Sequence, residues 1–190
     1  MLSDTITRSP PVPPGDTLLR FFRSLDHLYV LIDTARDSRI ISLLKSTACK
    51  AHTLFSDHRA ETLTDYAPYL VEILPDEPFL EQVVTHWGDS WGIYATSDAT
   101  VERLVEHFRS LLWAETLDGR MLFRFYDPRV LHGFLPAYNP EQASRFFGPV
   151  DAFYAEQSDP EWVARYSLTD QGVRYQTATR RQLAVASGST

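Results

Sequence analysis

Leu28-Tyr29-Val30-Leu31-Ile32 is an apolar run with no polar break, closed by Asp33. A strand that faces water on one side alternates apolar with polar residues, whereas an unbroken run needs cover on both faces. A fold that holds this segment as a strand therefore needs a layer above it and a layer below. The flanking sequence supplies candidates. Leu18, Leu19, Phe22 and Leu25 before it, and Ile40, Ile41, Leu43 and Leu44 after it, recur at helical spacing.

The alternation of elements continues along the chain. Residues 51–54, 69–74, 91–96, 150–155 and 162–168 read as strands. Phe79, Leu80, Val83, Val84 and Trp87 mark a helix stopped by Gly88. Ser97 or Asp98 is the expected cap of the most regular helix, where Val101, Leu104, Val105, Phe108, Leu111 and Leu112 form one stripe. Segments 113–117 and 121–126 flank Asp118-Gly119, a strong hairpin signal. Together these predict an α/β (α+β) domain, a mixed β-sheet flanked by helices with a small C-terminal helical lobe. The expected organisation is a proline-rich lead-in over 1–15 and a folded domain over 16–157. Its sheet runs to about residue 126 and its helical lobe spans about 127–149. A last strand and a flexible tail occupy 158–190.

The junction at 121–135 holds the densest set of chemically capable residues. Met121, Phe123 and Phe125 alternate with Leu122, Arg124 and Tyr126, as in a strand. Asp127 then caps a helix, Pro128 fits its first position, and Val130, Leu131, Phe134 and Leu135 follow at helical spacing. Arg124, Tyr126, Asp127 and Arg129 are suited to holding an anion or to acid–base chemistry. The same residues also make a structural corner, in which a capping aspartate alone is worth about 1 kcal/mol. The corner is the favoured reading, with Arg124, Tyr126, Asp127, Arg129 and Trp91 expected at a partner-binding surface.

Gly88-Asp89-Ser90-Trp91-Gly92 fits the nucleophile-elbow pattern G-x-S-x-G, which makes a small serine hydrolase using Ser90 the alternative function. That mechanism needs a strand entering the turn and a helix leaving it. The pattern here is the reverse, so an ordinary turn is expected. Metal and cofactor chemistry have little support. One cysteine, Cys49, permits no intrachain disulfide and no thiolate metal cluster. Six histidines include no H-E-x-x-H, and His52, Asp57 and His58 are the nearest to a ligand group. There is no G-x-G-x-x-G and no phosphate-binding loop, so no cofactor is expected.

Net charge is −7, and residues 61–100 contain eight acids with no lysine or arginine. Such a segment repels phosphate backbones, which argues against nucleic acid as a partner. No stretch approaches the roughly 18 apolar residues of a spanning helix, and the N-terminus lacks the pattern of a secretory signal. A soluble protein is expected.

Several of these segments also carry a family resemblance. They are Leu31-Ile32-Asp33, Ala67-Pro68-Tyr69-Leu70-Val71, Trp87-Gly88 with Trp91-Gly92, and Leu112-Trp113. The most specific are the run from Leu122 to Leu131 and Phe146-Phe147-Gly148-Pro149. From about Leu28 to Glu156 the chain resembles the DUF4123 family, adaptor chaperones of the bacterial type VI secretion system. The resemblance implies a cytoplasmic, non-catalytic protein that binds a particular toxic effector and helps load it onto the VgrG spike. It carries over no catalytic residue.

Overall fold

The computed structural model describes residues 14–56, 63–116 and 119–186. The lead-in before residue 14, Asp57, His58 and Asp118 lie outside the described residues. The apolar run forms β1 (Leu28–Asp33), buried at every position. The other members of its seven-stranded sheet are β2 (Ala51–Thr53), β3 (Pro68–Glu72), β4 (Gly92–Thr96), β7 (Ala152–Glu156), β8 (Trp162–Thr169) and β9 (Gly172–Thr179). Their order is β2-β3-β1-β4-β7-β8-β9. A separate hairpin pairs β5 (Trp113–Thr116) with β6 (Gly119–Leu122).

Helices flank the sheet as expected, but every sheet pairing is antiparallel, which corrects the mixed strand directions. The alternation of strands and helices does mark crossovers. From β1 the chain passes through α2 (Ser38–Thr47) to β2, which runs in the same direction with β3 inserted between them. From β3 it passes through α3 (Pro78–Thr85) to β4, again parallel, with β1 inserted. Two interleaved split β-α-β units thus give antiparallel neighbours throughout.

Both faces of the sheet are covered. Tyr94 and Tyr154, register partners on one face, meet Phe22 of α1 (Pro14–Arg23) at ring-centroid distances of 4.1 and 6.1 Å. Helix α3 packs on both α1 and α2 in this layer. On the other face Phe153 meets Phe108 of α4 (Val101–Leu111) at 6.4 Å and Phe146 and Phe147 of α6 (Pro140–Phe147) at 5.3 and 5.2 Å. Phe134 of α5 (Pro128–Phe134) meets Phe146 at 5.1 Å. The helices expected as a smaller lobe therefore share one core with the sheet, and Leu131, Leu135, Phe146 and Phe147 are fully buried in it.

The helix starts follow simple cap chemistry. Asp127 caps α5 with Pro128 in the first turn, and Asn139 and Gln142 form a reciprocal capping box on α6. Helix α4 differs from expectation. Thr100 accepts the Arg103 N–H at 3.5 Å, while the Ser97 hydroxyl accepts from Ala99 N–H and donates to the Pro149 carbonyl at 2.5 Å. Ser97 ties two loops together instead of capping.

Two further expectations need correction. The strand read over 121–126 stops at Leu122, because the chain turns over 124–127, where the Asp127 N–H donates to the Arg124 carbonyl at 3.0 Å. The segment beyond Asp170, expected to fray, instead forms β9 and α7 (Arg180–Ala186). An unbroken ladder runs from Trp162↔Thr179 to Thr169↔Gly172, with Gly172 taking the positive φ (+105°) that the turn requires. The segment is polar because its middle residues are exposed at the end of the sheet, not because it lacks structure.

Candidate functional site

Leu31-Ile32-Asp33, Trp87-Gly88 with Trp91-Gly92 and the Arg124–Arg129 part of the junction meet at one end of the sheet, where β1 and β7 finish and β4 begins. Phe146-Phe147-Gly148-Pro149 lies at the opposite end, where Ser97 donates to the Pro149 carbonyl. Four acids organise this end. Asp33, at the close of β1, is 2% exposed. Its carboxylate accepts the Ala35 N–H at 3.1 Å and a short bond from the Arg124 guanidinium. Asp127 is also buried, and accepts the backbone N–H of Arg129 at 3.0 Å and its guanidinium at 2.9 and 2.6 Å. Burial works to raise the Asp127 pKa, but the Arg129 bonds outweigh it and hold the carboxyl below its ordinary range.

Glu156, at the close of β7, accepts the Gly88 N–H at 2.6 Å, the Ser90 N–H at 2.7 Å and the Ser90 hydroxyl at 3.0 Å. Burial pushes its pKa up, and those three bonds offset only part of the rise. The turn it holds contains Gly88 at φ +108° and Ser90 at φ +56°, so the carboxylate satisfies amides that a strained turn leaves exposed. Asp89, in the same turn, accepts from or pairs with His86 Nδ1 at 3.0 Å and lies 3.9 Å from Arg39.

Trp91 and Tyr126, expected at a partner-binding surface, are instead buried, at 3% and 1% exposure. Trp91 stacks on His86 with ring centroids 4.0 Å apart, and the Arg39 guanidinium lies 5.3 Å from its centroid. Burial also drives the Tyr126 hydroxyl far above its ordinary pKa. Arg124 and Arg129 do reach solvent, with side chains 41% and 55% exposed. Of the five expected surface residues, these two arginines remain accessible, while Asp127 sits beneath them.

Ser90 occupies a helix-to-strand turn, between α3 and β4, as its context predicts. It lines a shallow depression of about 330 Å³ together with Arg129, His132 and Glu156. Neither side chain of a Ser–His pair is free there. His132 Nε2 lies 2.7 Å from the Glu156 carbonyl, which can only accept, so in the neutral ring Nε2 carries the proton. Nδ1 then accepts from the Tyr166 hydroxyl at 2.5 Å. The Ser90 hydroxyl is already donated to Glu156. Cys49 is half-buried, and burial raises its thiol pKa, the reverse of an activated nucleophile.

Among the described residues no group of three potential ligands is placed to hold a metal ion, and no helix is long and apolar enough to cross a membrane. The acidic segment is less bare than its sequence suggests. Glu72 pairs with Lys50 at 3.3 Å, Asp65 with Lys45 at 3.1 Å and Glu81 with Arg23 at 3.9 Å. Glu77 caps α3. Exposed pairs of this kind contribute little stability, but they place positive charge within the acidic face.

Asp33 and Glu156 carry no local motif. The one sequence signal for either is an acid that ends an apolar strand, a position where a carboxylate can meet the amides of the next turn. Glycine provides a clearer mark. A Cβ at Gly92 would lie 2.0 Å from the Leu31 carbonyl oxygen, and one at Gly148 would lie 2.4 Å from the His107 ring, so both positions exclude any other residue without a shift.

A family model described as "Domain of unknown function (DUF4123)" matches residues 28–145, more than half of the chain. No curated protein and no solved structure matches.

Proposed function

Because the chain belongs to the DUF4123 family, we propose that it is a non-catalytic adaptor chaperone that binds a particular type VI secretion effector and helps load it onto the VgrG spike. One observation carries this reading beyond family membership. At the sheet end where β1 and β7 finish, the chain's own groups already engage the reactive ones. Asp33 holds Arg124, Asp127 holds Arg129, Glu156 holds Ser90, and both ring nitrogens of His132 are in use. Among the described residues the single buried side-chain polar atom without a partner is Arg109 Nε, which is outside this cluster.

A catalytic centre keeps a nucleophile or base available to substrate, whereas a satisfied network rigidifies. The cluster thus serves as a brace that fixes the strand ends and the 124–129 corner, and binding falls to the surface around it. On this reading the protein works in the cytoplasm, with no cofactor, no nucleic acid and no membrane in its cycle. The test is co-expression of the tagged chain with the effector encoded beside it. Recovery of the effector on the tag supports the proposal, and failure to recover either that effector or VgrG, both soluble in the same cells, sinks it.

A further inference from the structure

The two edges of the sheet are treated differently. At one edge β2 is three residues long, and the Arg109 guanidinium donates to the Thr53 carbonyl at 2.9 Å. At the other, β9 is eight residues long and, among the described residues, pairs only with β8. Folded proteins usually blunt an exposed edge with brevity, proline, lysine or a bulge, because its unpaired N–H and C=O groups invite another strand. β9 (Gly172-Val173-Arg174-Tyr175-Gln176-Thr177-Ala178-Thr179) has no proline, lysine or bulge and carries a single charge, Arg174, and residues 174–177 are all exposed.

The direction of the backbone groups follows from the ends of the strand. The Arg180 N–H donates to the Glu161 carbonyl across the hairpin, while the Thr179 N–H turns the other way and is capped by Gln182 at 2.7 Å. With a period of two, the backbone groups of Val173, Tyr175 and Thr177 point away from β8. The two faces of the edge differ in chemistry. Tyr175, register partner of Tyr166, lies on the same face as the exposed Trp162 and Leu168. Arg174 lies on the opposite face with Gln176 and Arg165, whose guanidinium donates to Gln176 at 3.0 Å.

In a chain of net charge −7, residues 162–186 carry four arginines (165, 174, 180 and 181) against one acid, Asp170. Arg174 and Arg181 have no ion-pair partner among the described residues. The terminal hairpin also lies beyond residues 28–145, so it is outside what the family model matches.

We propose that the free edge of β9 is a docking strand for an extended segment of a partner protein, in which acidic residues alternate with apolar ones. Main-chain pairing with Val173, Tyr175 and Thr177 supplies the ladder. The apolar side chains lie beside Tyr175, and the acidic ones beside Arg174. A second copy of β9 fits less well, because an antiparallel self-pairing brings two arginine-bearing edges together. The proposal assigns a surface to the adaptor reading and rests on it for the partner's role. It accounts for how an otherwise braced domain takes a cargo segment without opening its core.

The probe is a fluorescent ten-residue peptide alternating glutamate with valine, titrated into the full chain by anisotropy, with hydrogen exchange followed over residues 172–179. Four results are expected together. The peptide binds and slows exchange in β9. Methylating its alternate backbone nitrogens weakens binding about tenfold or more, since a pairing strand loses its donors. Arg174→Glu weakens it by a similar factor, and a lysine–valine peptide does not bind. Equal binding of the methylated or the lysine peptide overturns the proposal, as does no binding at millimolar concentration. A dimer of the chain that Thr177→Pro converts to monomer makes the edge a self-association surface and also overturns it. None of these results depends on the effector, so the docking strand and the adaptor reading fail separately.

Discussion

Arg124 reaches Asp33 across 91 residues of chain, and Glu156 reaches Ser90 across 66. Such pairs leave no trace in local spacing, whereas Asp127 was legible because its partners lie two residues away. Removing Arg124 leaves the Asp33 carboxylate buried with one N–H partner, that of Ala35, among the described residues. Arg124→Ala should therefore cost roughly 2 kcal/mol in urea denaturation, discounted from a fully buried pair because the arginine is partly exposed. Adding Asp33→Asn should recover part of that loss, and an unchanged midpoint for the single variant would contradict the brace.

The two perturbed carboxyls of the cluster have opposite signatures in pH. Asp127 has a folded pKa below its unfolded one, so its contribution is complete above the ordinary carboxylate range and is lost as pH falls through the lowered value. Glu156 has a raised folded pKa, so stability from it falls as pH rises from the ordinary glutamate value, about 4.3, through the raised one. Glu156→Gln removes that slope. The stability of the wild type relative to the variant should decrease as pH rises through this window, and an increase would refute the assignment. Ser90→Ala should cost only about 1 kcal/mol, the value of one hydrogen bond, and leave partner binding intact.

At the scale of elements, periodicity served where one face decides burial. Helix α4 shows its apolar stripe plainly, with Leu104, Val105 and Phe108 buried. It failed where tertiary context decides. Phe125 and Tyr126 are both buried because they form the turn that leads from β6 into α5, and β9 is polar because it is an edge. Strand direction was beyond reach for a similar reason, since a helix between two strands fixes their mutual direction but not which strand sits between them. Glycine gives the sharpest test at this scale. A Cβ at Gly92 meets backbone of the neighbouring strand, which cannot swing aside. Gly92→Ala should cost roughly 3 kcal/mol or more and depress soluble yield and melting temperature. Asp127→Ala should cost about 1–2 kcal/mol through the lost cap of α5.

For the molecule as a whole, the chain joins interleaved split β-α-β units to a terminal hairpin through one core. Tyr166, Val163 and Phe153 belong to that core, so deleting the chain from residue 170 onward uncovers β8 and should yield aggregated protein instead of a trimmed adaptor. Of the eight acids of 61–100, Asp65, Glu72, Glu81 and Asp89 pair with a lysine or arginine of another element, which makes the basic terminal hairpin the more distinctive electrostatic feature. Cargo binding is the proposed role of the chain. Its most direct test is light scattering on the tagged 21.7 kDa chain co-expressed with the effector encoded beside it. A single species with the summed mass of chain and effector is the expected result. Elution of the chain at its own mass, with the effector folded and soluble in a separate peak and VgrG equally unbound, would contradict it.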